Sequence, residues 1–252
     1  MKEMFVSLQP NIKENNKNSA ESLDISKQQR DVYEVFKASP ELSKIGTKEQ
    51  YAKYLETIFP ESVIKNIVYH GTNNKFEKFE KRRREDKFDA GTIGNGIYFA
   101  ESKDVSFGSN LENTKASILN VKNPLVGVDE IILHIGKREE KGGRYTGNHI
   151  IYNEFNLKRR FLTDNKEYYD IVTNFIKDNG LEGRTISDFE ISELYSEYLV
   201  KLGYDGIVSN GTSAFSGGRE FVVFEPEQIH ILGSNDDIEN FKKFVESAEL
   251  AQ

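Results

Sequence analysis

Three strand-length apolar runs, each bordered by glycine, carry one chemically capable side chain apiece. They are V-Y-H-G-T with His70, G-N-G-I-Y-F-A with Tyr98, and G-G-R-E-F-V-V-F with Glu220. Glycines that punctuate a short apolar run mark a buried strand. In the third run Glu220, Val222 and Phe224 alternate with Phe221 and Val223, so the two-residue period sets a carboxylate at the mouth of an otherwise apolar strand. His70 and Tyr98 are 28 residues apart, and Tyr98 and Glu220 are 122 apart. A fold that uses these runs together must gather strands from distant parts of the chain. The plainer alternative is three core strands with one stray polar residue each.

The rest of the pattern is mixed. Residues 28–37 and 47–58 read as helices, the second opening on a capping box from Thr47 to Gln50 and closed by Pro60. Its Tyr51, Tyr54, Leu55, Ile58 and Phe59 form an amphipathic stripe, for which packing on the main domain is favoured over a partner groove. Strands are expected near 66–69, 96–100, 116–121 and 130–135. An insert of about 137–204 is read to supply two helices. One lies near 165–178 with Ile171, Val172, Phe175 and Ile176, and the other opens on a capping box of Ser187 and Glu190 and ends at Gly203. Strands at 205–208, 219–224 and 228–232 and a helix at 236–248 complete the set. Residues 1–27, rich in Asn, Lys, Ser and Glu, read as a polar tail that a partner could order. The expected division is thus a tail (1–27), a helical segment (28–62) and an α+β domain (63–252).

Composition sets outer limits. With 252 residues the chain can bury one sizeable core. It has no cysteine, hence no disulfide and no thiolate ligand, which fits a reducing compartment. His70, His134, His149 and His230 show no metal-binding spacing, so no metal is expected. His134 and His230 sit in short apolar runs and read as strand residues. No apolar stretch approaches the roughly eighteen residues of a membrane helix, and the start M-K-E-M-F-V-S-L lacks a signal core. The cytoplasm is the default location, although a secreted effector would look the same. A net charge of −7 argues against indiscriminate nucleic-acid binding. The charge is uneven, however. Residues 75–87 hold seven basic residues (Lys75, Lys78, Lys81, Arg82, Arg83, Arg84, Lys87) against four acidic ones, and Lys158-Arg159-Arg160 forms a second cluster. Such runs are commonly solvated loops; if both flank one cleft, they form a phosphate-holding rim.

At the three motifs the chain resembles the His-Tyr-Glu branch of the ADP-ribosyltransferase superfamily, the diphtheria-toxin and poly(ADP-ribose) polymerase-like branch. The resemblance spans roughly residues 66–232, and from about 125 to 200 it follows the order of elements rather than the sequence. It implies two small, mostly antiparallel sheets forming an NAD cleft with flanking helices, and NAD as substrate. His70 would hydrogen-bond the adenosine ribose. Gly71, with Thr72 beside it, would clasp the nicotinamide carboxamide through a backbone that no side chain shields. Tyr98 would lay its ring against the nicotinamide, and Ser106, eight residues on, would bond the carboxamide oxygen. Glu220 would stabilise the oxocarbenium-like ribosyl cation and hold the ribose 2′-hydroxyl.

Two positions depart from the family pattern. Ser109 stands where a second stacking aromatic is usual, with Phe107 nearby. Gly218 stands two residues before Glu220, where arginine-modifying members carry Glu or Gln, and those members begin with Arg instead of His70. The loop N-G-T-S-A-F-S-G-G-R reads as mobile, with Phe215 either an acceptor contact or a core plug. The implied activity is mono-ADP-ribosylation of RNA, DNA or protein by a toxin or effector, with nucleic acid slightly favoured. A chain toxic to its own cell would call for an antitoxin partner. The alternatives are an NAD glycohydrolase and a non-catalytic NAD or ADP-ribose binding module.

Overall fold

The structure, a computed structural model, describes residues 25–72, 74–81, 91, 93–103, 114–128, 135–153, 166–209 and 218–250. Three helices come first: α1 (Ile25–Ala38), α2 (Pro40–Ile45) and α3 (Lys48–Thr57). Strands β1 (Val68–His70), β2 (Ile97–Ala100), β3 (Lys115–Leu119) and β4 (Pro124–Val128) follow. The insert contains β5 (Gly136–Lys141), β6 (Arg144–Ile151), α4 (Lys166–Asp178), β7 (Thr185–Ser187) and α5 (Asp188–Lys201). Strands β8 (Gly206–Ser209), β9 (Glu220–Val223) and β10 (Ile229–Ile231) and helix α6 (Asn235–Glu249) complete the order.

These elements build the expected α+β architecture of two small sheets. One has seven strands in the order β10-β3-β1-β2-β9-β8-β4, and the other has three in the order β5-β6-β7. All pairings are antiparallel except β4 with β8. The capping box predicted for α3 forms in full, and of the one predicted for α5 the serine half forms. Thr47 and Gln50 exchange hydrogen bonds of 3.2 and 2.7 Å at the start of α3, and Ser187 Oγ accepts from the Glu190 N–H at the start of α5.

The insert is more than helical, since it also supplies the whole three-stranded sheet. β5 reads G-K-R-E-E-K, with no apolar alternation to betray a strand. It forms because Gly142 and Gly143, at φ +60° and +74°, make the tight turn that folds it onto β6. β4 lies at 124–128, and most of the strand expected near 130–135 falls outside the described residues.

Apolar side chains collect in three clusters, and cross-strand register tells which face of the large sheet each one covers. Tyr69 pairs with Ala100, Tyr98 with Val222, and Ile207 with Val222; directly opposed residues share a face. On that face, Ile67, Tyr69 and Ile118 are covered by Val32, Leu42, Tyr51, Tyr54 and Leu55 of the N-terminal helices together with Phe241 of α6. The stripe of α3 therefore packs on the body of the protein. Further along the same face, Leu125, Ile207 and Val222 are covered by α4, α5 and the small sheet. The opposite face carries Val68, Phe99, Leu119, Phe221 and Val223, packed by Phe79 and Ile64. The two covers on the first face adjoin at β1, β2 and β9, the strands that carry the three motifs.

Candidate active site

β1, β2 and β9 are consecutive neighbours in the sheet, so the fold unites three segments separated by up to 150 residues of sequence. Glu220 is the first residue of β9 and pairs with Ala100, while Tyr98 pairs with Val222. Tyr98 and Glu220 are therefore diagonal neighbours on one face, a relation that separates Cα positions by about 7–8 Å. The β1–β2 register pairs Tyr69 with Ala100; continued by two residues, it sets the half-buried Gly71 across from Tyr98. A flat wall, a side-chain-free backbone and a half-buried carboxylate thus line one strip of sheet.

His70 belongs to the other face. Its ring sits 5.1 Å from Phe79 and 5.7 Å from Phe99, centroid to centroid. Its Nδ1 lies 2.7 Å from the Tyr98 carbonyl oxygen. A carbonyl only accepts, so Nδ1 carries the proton and Nε2 of the neutral ring is the acceptor. His70 is thus tied to the backbone of Tyr98 from the face opposite the Tyr98 ring. Phe76 and Phe79, edge-on to each other at 4.8 Å, were not singled out by sequence, because two phenylalanines in a charged run carry no strand or helix period.

Tyr98 is held by its hydroxyl, which donates to the Gly94 carbonyl at 2.5 Å and accepts from the Ile93 N–H at 3.2 Å. Its orientation is therefore fixed by the loop that leads into its own strand. Beside Glu220, Arg219 Nη2 meets Glu101 Oε1 at 2.8 Å, and the Glu101 N–H donates to the Arg219 carbonyl at 3.1 Å. This pair extends the β2–β9 ladder past the carboxylate. The Glu220 N–H itself donates to Ser209 Oγ on β8 at 3.3 Å. Thr72, expected beside the carboxamide, uses Oγ1 to accept from the Asn74 N–H at 3.1 Å, a local turn that shapes the exit from β1.

Ser106, Phe107, Ser109 and Phe215 lie outside the described residues, as do Arg82, Arg83, Arg84, Lys87, His134 and Lys158-Arg159-Arg160. Of the first basic cluster, Lys75 and Lys78 are exposed, and Lys81 is ion-paired with Glu225. His230 is a strand residue on β10, its Nε2 bonded to Asp237. Among the described residues no group of three or more His, Cys, Asp or Glu side chains is arranged to hold a metal ion. No helix among them is long and apolar enough to cross a membrane.

A family described as ADP-ribosyltransferase in polyvalent proteins matches residues 65–239. The chain belongs to that family and so to the ADP-ribosyltransferase superfamily, whose chemistry is transfer of ADP-ribose from NAD. No curated protein matches the sequence. A crystal structure of an anti-CRISPR protein is similar over 66% of this chain and 93% of its own, at 12% identity and a TM-score of 0.30.

Proposed function

We propose that the protein is a mono-ADP-ribosyltransferase of the His-Tyr-Glu type, acting on a macromolecular acceptor as a toxin or effector. The observation that carries this reading is the shared face of Tyr98, Gly71 and Glu220, with His70 bonded to the Tyr98 carbonyl behind it. Nicotinamide seats against the Tyr98 ring, its carboxamide held by the Gly71 backbone with Thr72 beside it. His70 lies on the opposite face as the last residue of β1, so the adenosine ribose meets its Nε2 around the end of that strand. The bond from ribose C1′ to the nicotinamide nitrogen breaks, its electron pair neutralises the pyridinium, and positive charge spreads over C1′ and the ring oxygen. Glu220 stabilises that charge, which exists only near the transition state, and holds the 2′-hydroxyl. The acceptor then attacks C1′ and loses its proton.

Nucleic acid is favoured as acceptor. His70 and Gly218 depart from the arginine-modifying pattern, and the exposed Lys75 and Lys78 follow β1 closely in sequence. The test is incubation with labelled NAD and whole-cell lysate, in wild-type and Glu220→Gln forms, split between nuclease and protease digestion. Label that requires Glu220 and vanishes with nuclease supports the reading. Label removed by protease makes the acceptor a protein, and free ADP-ribose formed at the full rate of NAD loss makes the protein a glycohydrolase.

A further inference from the structure

The loop that holds Tyr98 is itself held from elsewhere. Gly91 and Gly94 adopt φ +71° and +138°. A Cβ on Gly91 would lie 2.3 Å from the Gly94 carbonyl oxygen and 2.6 Å from the Tyr98 hydroxyl, so only glycine lets the loop close this tightly on the tyrosine. The closure is gripped at both ends by one residue of α5. Ser192, fully buried, donates its hydroxyl to the Gly91 carbonyl at 2.7 Å, and its own carbonyl accepts from the Asn95 N–H at 3.1 Å. Ile93 and Gly94, between those anchors, make both hydrogen bonds to the Tyr98 hydroxyl. The helix is seated in turn by Asp188 at its start, which accepts hydrogen bonds from Tyr145 Oη and, at 2.7 Å, from His149 Nδ1.

On the basis of the NAD-cleaving reading above, we infer that Ser192 is a positioning residue for Tyr98. Through Gly91, Ile93, Gly94 and Asn95 it fixes the wall on which nicotinamide stacks, so an insert helix sets NAD affinity without touching NAD. Removing the hydroxyl takes away the bond that ties the Gly91 carbonyl to the helix, and the loop relaxes. Because the tyrosine wall serves bound substrate and transition state alike, the loss falls on KM and spares kcat.

The experiment compares Ser192→Ala with Ser196→Ala in the full chain. Ser196 lies one helical turn on, is also buried, and its hydroxyl has no hydrogen-bond partner among the described residues, so its removal is the matched control. Ser192→Ala is expected to raise the KM for NAD about tenfold with kcat held within about twofold, and to speed amide hydrogen exchange at Ile93 about tenfold. Ser196→Ala is expected to change neither, and Ser192→Thr, which keeps the hydroxyl, to restore Ile93 protection. Unchanged exchange at Ile93 in Ser192→Ala, or equal effects from the two alanine variants, overturns the assignment. If the wild-type protein leaves NAD intact, the functional reading fails separately, and exchange at Ile93 still decides whether Ser192 holds the loop.

Discussion

Asp237 is completely buried at the start of α6, yet its carboxylate accepts three hydrogen bonds. Oδ2 takes the Tyr51 hydroxyl at 2.6 Å and the Gly233 N–H at 2.7 Å, and Oδ1 takes His230 Nε2 at 2.7 Å. The three donors come from α3, from the turn before α6 and from β10, so this one side chain binds the N-terminal helices to the edge of the large sheet. Asp237→Ala deletes the acceptor and strands the Tyr51 hydroxyl and the Gly233 N–H. One stranded buried donor costs about 1–3 kcal/mol. With the His230 side able to reach solvent, the sum is about 2–6 kcal/mol, a large share of a typical folding free energy of about 5–15 kcal/mol.

Tyr51→Phe isolates a single bond to a charged acceptor and is expected to cost about 1.5–3 kcal/mol. At this size that lowers the thermal midpoint by about 3–12 °C. Urea unfolding followed by circular dichroism, on both single variants and the double variant, measures the terms. In the double variant the Tyr51→Phe cost should almost vanish, because the hydroxyl partner is already gone. An Asp237→Ala protein within about 1 kcal/mol of wild type would refute the reasoning, as would full additivity of the two changes.

Alkaline pH gives an independent check on the tyrosine-rich core. Burial, aided by Asp237, pushes the Tyr51 and Tyr54 hydroxyls well above the usual tyrosine range; burial alone leads for Tyr195, and Tyr198 is pushed up to about 12 by burial and then its bond to Asp178. Unfolded tyrosines ionise near about 10, so this stability is complete below that pH and is lost as pH rises toward the folded values. Thermal midpoints should hold to about pH 9.5 and fall steadily beyond about 10; a flat profile to pH ~11.5 would count against the packing described. Gly96 leaves no room for a side chain, since a Cβ would lie 2.6 Å from the Val223 carbonyl oxygen. Gly96→Ala should therefore cost about 1–3 kcal/mol in chemical denaturation, and a neutral result would show that β2 and β9 can separate. Phe79→Ala removes an edge contact to His70. It should destabilise by about 3 kcal/mol or more and weaken NAD binding in a titration, whereas unchanged NAD affinity would mean that His70 needs no such support.

The sequence exposes what is locally encoded. β1, β2 and β9 were legible because glycine bounds apolar runs of strand length, α3 and α5 because Thr47 and Ser187 sit where helix-capping side chains belong, and α6 because Ile238, Phe241, Phe244 and Val245 recur on one side. β5 was not legible, since its strand character comes from pairing with β6 rather than from its own charged residues. β4 begins with Pro124 and contains Gly127 at φ +82°, with a register shift against β8, and such a segment reads as a loop. α2 is a six-residue helix with proline in its first turn, too short to show a period.

Within the candidate site, the sequence offers the residue types and their order, whereas the hydrogen bonds that orient them were not legible. Ser192 and Gly91 are 101 residues apart, and nothing in either local pattern points to the other. Register also separated what a list of motifs cannot, with Tyr98 and Glu220 on one face and His70 on the other.

The central claim is that Glu220 supplies the transition-state charge for cleaving NAD. The direct measurement is nicotinamide release from NAD by the wild-type and Glu220→Gln proteins, with NAD affinity titrated on the same preparations. The prediction is a loss in turnover of about 10²–10³-fold with affinity unchanged within about threefold. Turnover that survives the substitution within about tenfold, or a loss matched by an equal loss of binding, would contradict it.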